Sequence, residues 1–307
     1  MGLKLKDSVY GESTIYTFAK TLFTPSLRPS VIKTVAMIVY NFFLRQYHAA
    51  FFKRIPVSSV DHPLDEKIPF VPSWVTIYID FVQFWIRMLA FFLRRYGRRS
   101  FAPVKDFIVS MGELYAYAAD VYTRNLSTTK RPFYIARPRF FAIHTLDPHL
   151  MCIPSLHVMV VIHGYMQFAA IARQLGEEEN LKEQALEMKQ GALAISQAIL
   201  FVKQHSVNCI PAALYGMTCF SNGYFSPEEA EKFTNLLFSP PPECDEALRK
   251  IRVHPGASPL TKINDTDQAE IKNHILSLYR RYLSERDMSR PWYEPVLKFL
   301  REYGQRN

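Results

Sequence analysis

The sequence is sparing in the features that mark several protein classes. Four cysteines occur in 307 residues, Cys152, Cys209, Cys219 and Cys244, and no two stand in Cys-x-x-Cys spacing. That excludes a disulfide-dense scaffold, and free thiols are expected. The first twenty residues carry Lys4, Lys6, Asp7 and Glu12 without an apolar run, so no secretory signal peptide is expected there. No internal repeat is visible, and no alternating stretch is long enough to make a sheet. No nucleic-acid-binding module is present, so no nucleic-acid partner is expected. A mean hydropathy of −0.06 is low for a densely polytopic membrane protein. The expected location is the cytoplasm or the cytoplasmic membrane.

Apolar residues are plentiful by contrast. They make up 49% of the chain against 21% charged residues, enough apolar surface to offset chain entropy and exclude disorder. The 17 Tyr and 23 Phe bury large areas and, at a surface, favour a membrane interface. The net charge of +9 attracts anions, whether acidic lipid headgroups or phosphorylated substrates. Arg94, Arg95, Arg98 and Arg99 are the one dense basic run, suited to an acidic membrane surface or to a helix C-terminus.

Apolar periodicity divides the chain. Residues 1–30 are mixed and expected to pack loosely. Residues 31–52 read as a helix with Asn41, Arg45 and His48 as a polar stripe. Residues 55–72 hold four prolines and read as a loop. Residues 74–93 have the length of a membrane span, but Asp80, Gln83 and Arg87 line one face. An amphipathic bundle helix is therefore expected. Further helices are expected over 104–122, 155–174 and 189–220, with a proline- and aromatic-rich loop at 123–154 and a charged connection at 177–189. Ser226-Pro227-Glu228-Glu229 is a strong helix start. Residues 239–242 read as a linker, 265–268 as a second capping box, and 292–303 as a last helix stopped by Gly304. The expected class is all-α. The expected organisation is an N-terminal segment at 1–30, a helical domain at 31–225 and a soluble helical appendage at 226–307.

Three short elements carry chemistry. The first runs from Lys130 to Pro138, where Lys130 and Arg137 stand seven apart. On a helix that spacing puts both cations on one face, ready to hold a dianion, although Pro132 interrupts the span. The second is Pro154-Ser155-Leu156-His157, at a helix start whose free backbone N–H groups suit an anion. The third is Lys203-Gln204-His205-Ser206-Val207-Asn208-Cys209, a polar run inside an apolar stretch expected to be helical. His144, Asp147, His149, Cys152 and His157 cluster in sequence, but their spacing fits no standard zinc pattern. No metal or cofactor is expected.

Taken together, these elements resemble the type 2 phosphatidic acid phosphatase and haloperoxidase superfamily. Its pattern is Lys-x6-Arg-Pro, then Pro-Ser-Gly-His, then Ser-Arg-x5-His-x3-Asp. Lys130, Arg137 and Pro138 match the first part; Pro154, Ser155 and His157 match the second, with Leu156 in place of glycine. His205 stands where the nucleophile belongs. Ile199 stands where the arginine does, and Cys209 where the aspartate does. The resemblance covers about residues 104–220 and implies a helical bundle.

It also implies a phosphoric monoester hydrolase or phosphotransferase acting on a lipid or other organic phosphate. His205 would attack phosphorus, and His157 would protonate the leaving group. Lys130, Arg137, Ser155 and the Leu156 amide would bind the phosphate oxygens. Asn208 and Lys203 are the residues expected to compensate for the missing aspartate and arginine. A degenerate anion-binding member and a basic helical protein of membrane surfaces are the alternatives.

Overall fold

The computed structural model describes residues 8–52, 54–134, 136–221, 223–239 and 263–304. Helix accounts for 71% and strand for 3% of it, so the class is all-α. The bundle is organised around α8 (Leu156–Gln174), which packs against α5 (Phe81–Tyr96), α6 (Phe101–Tyr122), α9 (Lys182–Phe201) and α10 (Cys209–Phe220). Its sequence explains that position. Val158, Val160, Val161, Ile162 and Phe168 are apolar all round the helix, and all are fully buried. A helix without a polar face has to be surrounded.

α1 (Thr14–Phe23) lies on α5, and α2 (Arg28–Ile38) lies on α6. A π-helical segment, Val39–Leu44, carries α2 into α3 (Arg45–Phe52) as one helical run. Residues 8–30 thus pack more closely than expected. Val9 and Leu27 are buried, and Glu187 of α9 accepts from the Ser8 hydroxyl and, at 2.9 Å, from the Val9 amide. Buried long-range partners, invisible to local periodicity, make the difference.

The expected helix over 74–93 breaks. A short α4 (Val75–Tyr78) precedes α5, which extends to Tyr96. The polar face foreseen there closes on itself: Arg87 grips Asp80 in bidentate fashion at 2.7 and 2.9 Å and also reaches Gln83 at 2.9 Å. One helical stretch among the described residues, Pro72–Tyr122, is long and apolar enough to cross a membrane, and 56% of its most apolar window is buried inside the fold.

Two short strands correct the expectation of no sheet. β1 (Val57–Ser59) pairs in parallel with β2 (Leu126–Thr128), Val57 opposite Leu126. The pairing anchors the loop that leads to α8, because Ser127 also bonds along residues 150–153. Within that loop α7 (Pro138–Leu146) is the helical piece.

The expected helix over 189–220 is two helices with a turn between them. α9 ends at Phe201, Lys203 adopts φ 53°, and α10 starts at Cys209. Pro211 sits in the first turn of α10, where its missing N–H does no harm; inside one long helix it would have broken a bond. The turn is held by residues 65–68, with Asp65 Oδ1 accepting from the Val207 amide at 2.8 Å.

The C-terminal helices also correct the expected layout. α11 (Pro227–Leu236) is capped by Ser226 as the sequence implies. α12 (Asp265–Ser284) is capped by Asn264, one residue earlier than the predicted box. α13 is Glu294–Gly304. These are not a free-standing appendage. α12 packs on α10, α13 packs on β1, and Ile271, Tyr279, Val296 and Leu300 join the same buried core as α8. The linker expected at 239–242 lies, after Ser239, outside the described residues.

Candidate functional site

Two helix ends and one turn build the site. Ser155 occupies the N-cap position of α8, so Leu156 and His157 are its first two residues. His205 lies in the turn between α9 and α10, not within a helix as its apolar flanks imply. The Ser155 amide approaches the Cys209 carbonyl at 3.5 Å, joining the two segments through backbone. The result is a direct contact between the imidazoles: His205 Nε2 lies 3.3 Å from His157 Nδ1. His157 is wedged against Tyr78 and Phe81, with ring centroids 4.4 and 4.1 Å away.

Burial governs the charge of this pair. It pushes His157 down to about 4. His205 is lowered well below the usual histidine range, first by burial and then by its neighbour His157. At neutral pH both rings are uncharged, so each offers one donor and one acceptor nitrogen. His205 Nδ1 and Ser155 Oγ are buried polar atoms with no hydrogen-bond partner among the described residues. The Cys152 backbone faces the His205 ring and favours its protonated form, but it does not complete a hydrogen bond to Nδ1.

Beside the pair runs a polar web that the sequence resemblance passes over. Arg131 donates to Gln204 Oε1 and to the Asp147 carbonyl, both at 3.3 Å, and stands 3.8 Å from the Asp147 carboxylate. Asp147 Oδ1 accepts from the His149 amide at 2.9 Å, and His149 Nε2 meets Thr129 Oγ1 at 2.8 Å. Burial would raise the Asp147 carboxyl, but the His149 hydrogen bonds and the Arg131 charge outweigh it and hold the group well below the carboxylate range. In the sequence, His144, Asp147, His149 and Cys152 stand out only as neighbours whose spacing fits no zinc pattern. Among the described residues no group of three or more His, Cys, Asp and Glu is arranged to hold a metal ion.

Lys130 and Arg137 do not share a helix face, because 129–134 is non-helical and Arg137 caps α7. The prolines at 132 and 138 disfavour helical geometry in the residues before them, and Arg137 is extended. The Lys130 amide bonds Asp61, and Lys130 lines a cleft of about 360 Å³ with Asp61, His62, Asp65, Glu66 and Lys203. The Lys203 ammonium is spent on the carbonyls of Asp65 and Ile68. Asn208 does not face His205: its amide donates to the Val60 carbonyl at 3.1 Å, and its Oδ1 meets His274 at 2.8 Å. Cys209 is fully buried, and burial keeps its thiol protonated. Ile199 is fully buried too, its carbonyl accepting from the Gln204 and His205 amides. His163, six residues past His157, is a satisfied core histidine bonded to Ser110 at 2.8 Å.

Pro132 and Pro138 were legible signals against the Lys130–Arg137 helix. Nothing local marked Arg131, whose role depends on Gln204 and Asp147 arriving from elsewhere in the chain. Comparison with protein-family models, with curated proteins and with solved structures finds no match to this chain.

Proposed function

We propose that the protein is a metal-independent phosphatase or phosphotransferase of the type 2 phosphatidic acid phosphatase kind, acting on a lipid phosphate or another organic phosphate through a phosphohistidine. The observation that carries this reading is the 3.3 Å approach of His205 Nε2 to His157 Nδ1, made by two histidines 48 residues apart. A neutral buried imidazole keeps its lone pair available as a nucleophile. His205 Nε2 attacks phosphorus, and the bond to the alkoxide breaks. His157, which takes up a proton from solvent as the phosphate dianion binds, passes that proton to the alkoxide. Water then attacks the phosphohistidine, its proton returns to His157, and phosphate leaves with His205 restored. The Ser155 hydroxyl and the open amides of the first turn of α8 suit the phosphate oxygens. Arg131 takes the part that the resemblance gives to Lys130.

Phosphate release from phosphatidic acid and from p-nitrophenyl phosphate tests the reading. His205→Ala should lower kcat by about a thousandfold or more. Radiolabelled substrate should leave an acid-labile phosphoenzyme in the wild type and none in the variant. Turnover that is absent, or equal in His205→Ala, rules the reading out.

One observation favours a second reading, a member that binds phosphate without turning it over. His205 Nδ1 lacks the acid that orients such a histidine. Losing that partner costs about ten-thousandfold in comparable triads. On this reading the wild type is inactive and Cys209→Asp creates turnover.

A further inference from the structure

The N-terminal helices are inverted with respect to the rest of the molecule. α1 buries Thr17 and Thr21, whose hydroxyls donate to the carbonyls of Ile86 and Thr17 at 3.1 and 2.8 Å. It leaves Ile15 and Phe23 at least 80% exposed. α2 buries Ser30 and Thr34 beside Val31, with Thr34 donating to the Ile108 carbonyl at 2.7 Å, and exposes Ile32. α3 buries Gln46 against Asp147 and exposes Phe51 and Phe52. Of the 23 large apolar side chains exposed among the described residues, 14 lie between residues 15 and 52. Such a concentration of apolar exposure on three consecutive helices marks a contact surface.

Charge identifies what it contacts. Residues 13–60 contain no Asp or Glu, although the chain holds 28, and they contain six cations: Lys20, Arg28, Lys33, Arg45, Lys53 and Arg54. Arg28 rests on the Leu22 carbonyl, Arg45 on Asn41 and the Tyr40 ring, and Arg54 on the Phe52 ring, not on carboxylates. A second copy would set six cations against six. A nucleic acid would leave the apolar side chains without a role. An anionic bilayer satisfies both, taking the apolar side chains into its acyl region and the cations at its headgroups.

We infer that α1, α2 and α3 form a monotopic seat on an anionic lipid bilayer, lying in the interface rather than crossing it. α5 covers the opposite side of α1, α6 covers that of α2, and α3 meets Asp147 through Gln46, which leaves one face for lipid. A cleft of about 280 Å³ opens among Tyr40, Leu44, Arg45, His48 and Met151 on this side. Met151 belongs to the loop that ends at Ser155, so the seat adjoins the approach to α8. The inference rests on exposure and charge, not on the histidine chemistry.

Vesicle flotation decides it, with full-length protein and vesicles of phosphatidylcholine alone or with about a third phosphatidylglycerol. The wild type should float with the anionic vesicles, about tenfold better than with the neutral ones, and release as salt rises. Ile15→Asp with Phe23→Asp and Phe51→Asp should abolish flotation while leaving the circular dichroism spectrum and melting unchanged. Lys20→Gln, Arg28→Gln and Lys33→Gln should each weaken binding about fivefold. Wild type that stays with the lipid-free fraction, or floats equally on both vesicles, overturns the inference. So does a dimer that the aspartate variant dissolves while the wild type ignores vesicles. His205→Ala should float like the wild type, and the aspartate variant should match it on soluble p-nitrophenyl phosphate. Failure of the phosphatase reading is therefore separable from failure of the seat.

Discussion

α8 and α1 are both helices with many apolar residues, and the fold uses them in opposite ways. α8 hides its apolar residues on every side and keeps Ser155 and His157 at its tip. α1 turns its threonines inward and its Ile15 and Phe23 out. The difference teaches that periodicity finds a face but does not say which way it points. In α8 the core has no alternative to burial. In α1 the buried hydroxyls are tolerable because each finds a carbonyl, one of them on α5.

The sharpest way to break this comparison is to put the same charge in both regions. Val161→Asp places a carboxylate at a fully buried position of α8, and Phe51→Asp places one at a position that is 79% exposed. The first should cost several kcal/mol and leave little folded protein. The second should shift stability by no more than about 0.5 kcal/mol. Urea unfolding measures both, and equal losses would show that the N-terminal face is core after all.

Acid sharpens it next. Burial lowers His157 and His274 to about 4 and His163 to about 3. The unfolded chain titrates them near 6.5, so between those values it binds more protons than the folded chain does. Their contribution is whole above pH 6.5, declines as pH falls below it, and is fully lost by about 4, or about 3 for His163. Each such group should weaken the fold by roughly 2 kcal/mol at pH 5. His163→Gln, which can keep a bond to Ser110, should recover that amount at pH 5 relative to pH 7. An unchanged acid limb would mean that His163 is not held neutral.

The smallest effect tests the inverted helices directly. Thr34→Val should cost about 1 kcal/mol by removing the hydroxyl that donates to Ile108, although it adds apolar surface. Ile32→Ser on the opposite side of α2 should change stability by less than about 0.5 kcal/mol. Melting temperatures of the two variants give the order, and a reversed order would show the face assignment to be wrong.

Much of the candidate site could be read locally. Pro154 and Ser155 ahead of an apolar run signal the start of α8, which delivers His157. The His205 turn was less legible. Its apolar flanks imply a helix, and only Pro211 hints at the break. The turn is made by distant groups: the Asp65 carboxylate, the carbonyls that hold Lys203, and the Val60 carbonyl that draws Asn208 away. The same distance effect hid Arg131 behind its neighbour Lys130.

The sequence by itself determined the helical class, most helix starts and the two histidines on which the functional reading rests. Those follow from periodicity, capping and residue chemistry, which act over a few positions. Tertiary structure alone decided that α1 to α3 face outward and that α12 and α13 belong to the core. It also decided that His157 and His205 touch while Asn208 and Lys203 serve elsewhere. Each of these turns on which buried polar group finds a partner, and the partner comes from a part of the chain that no local pattern reaches.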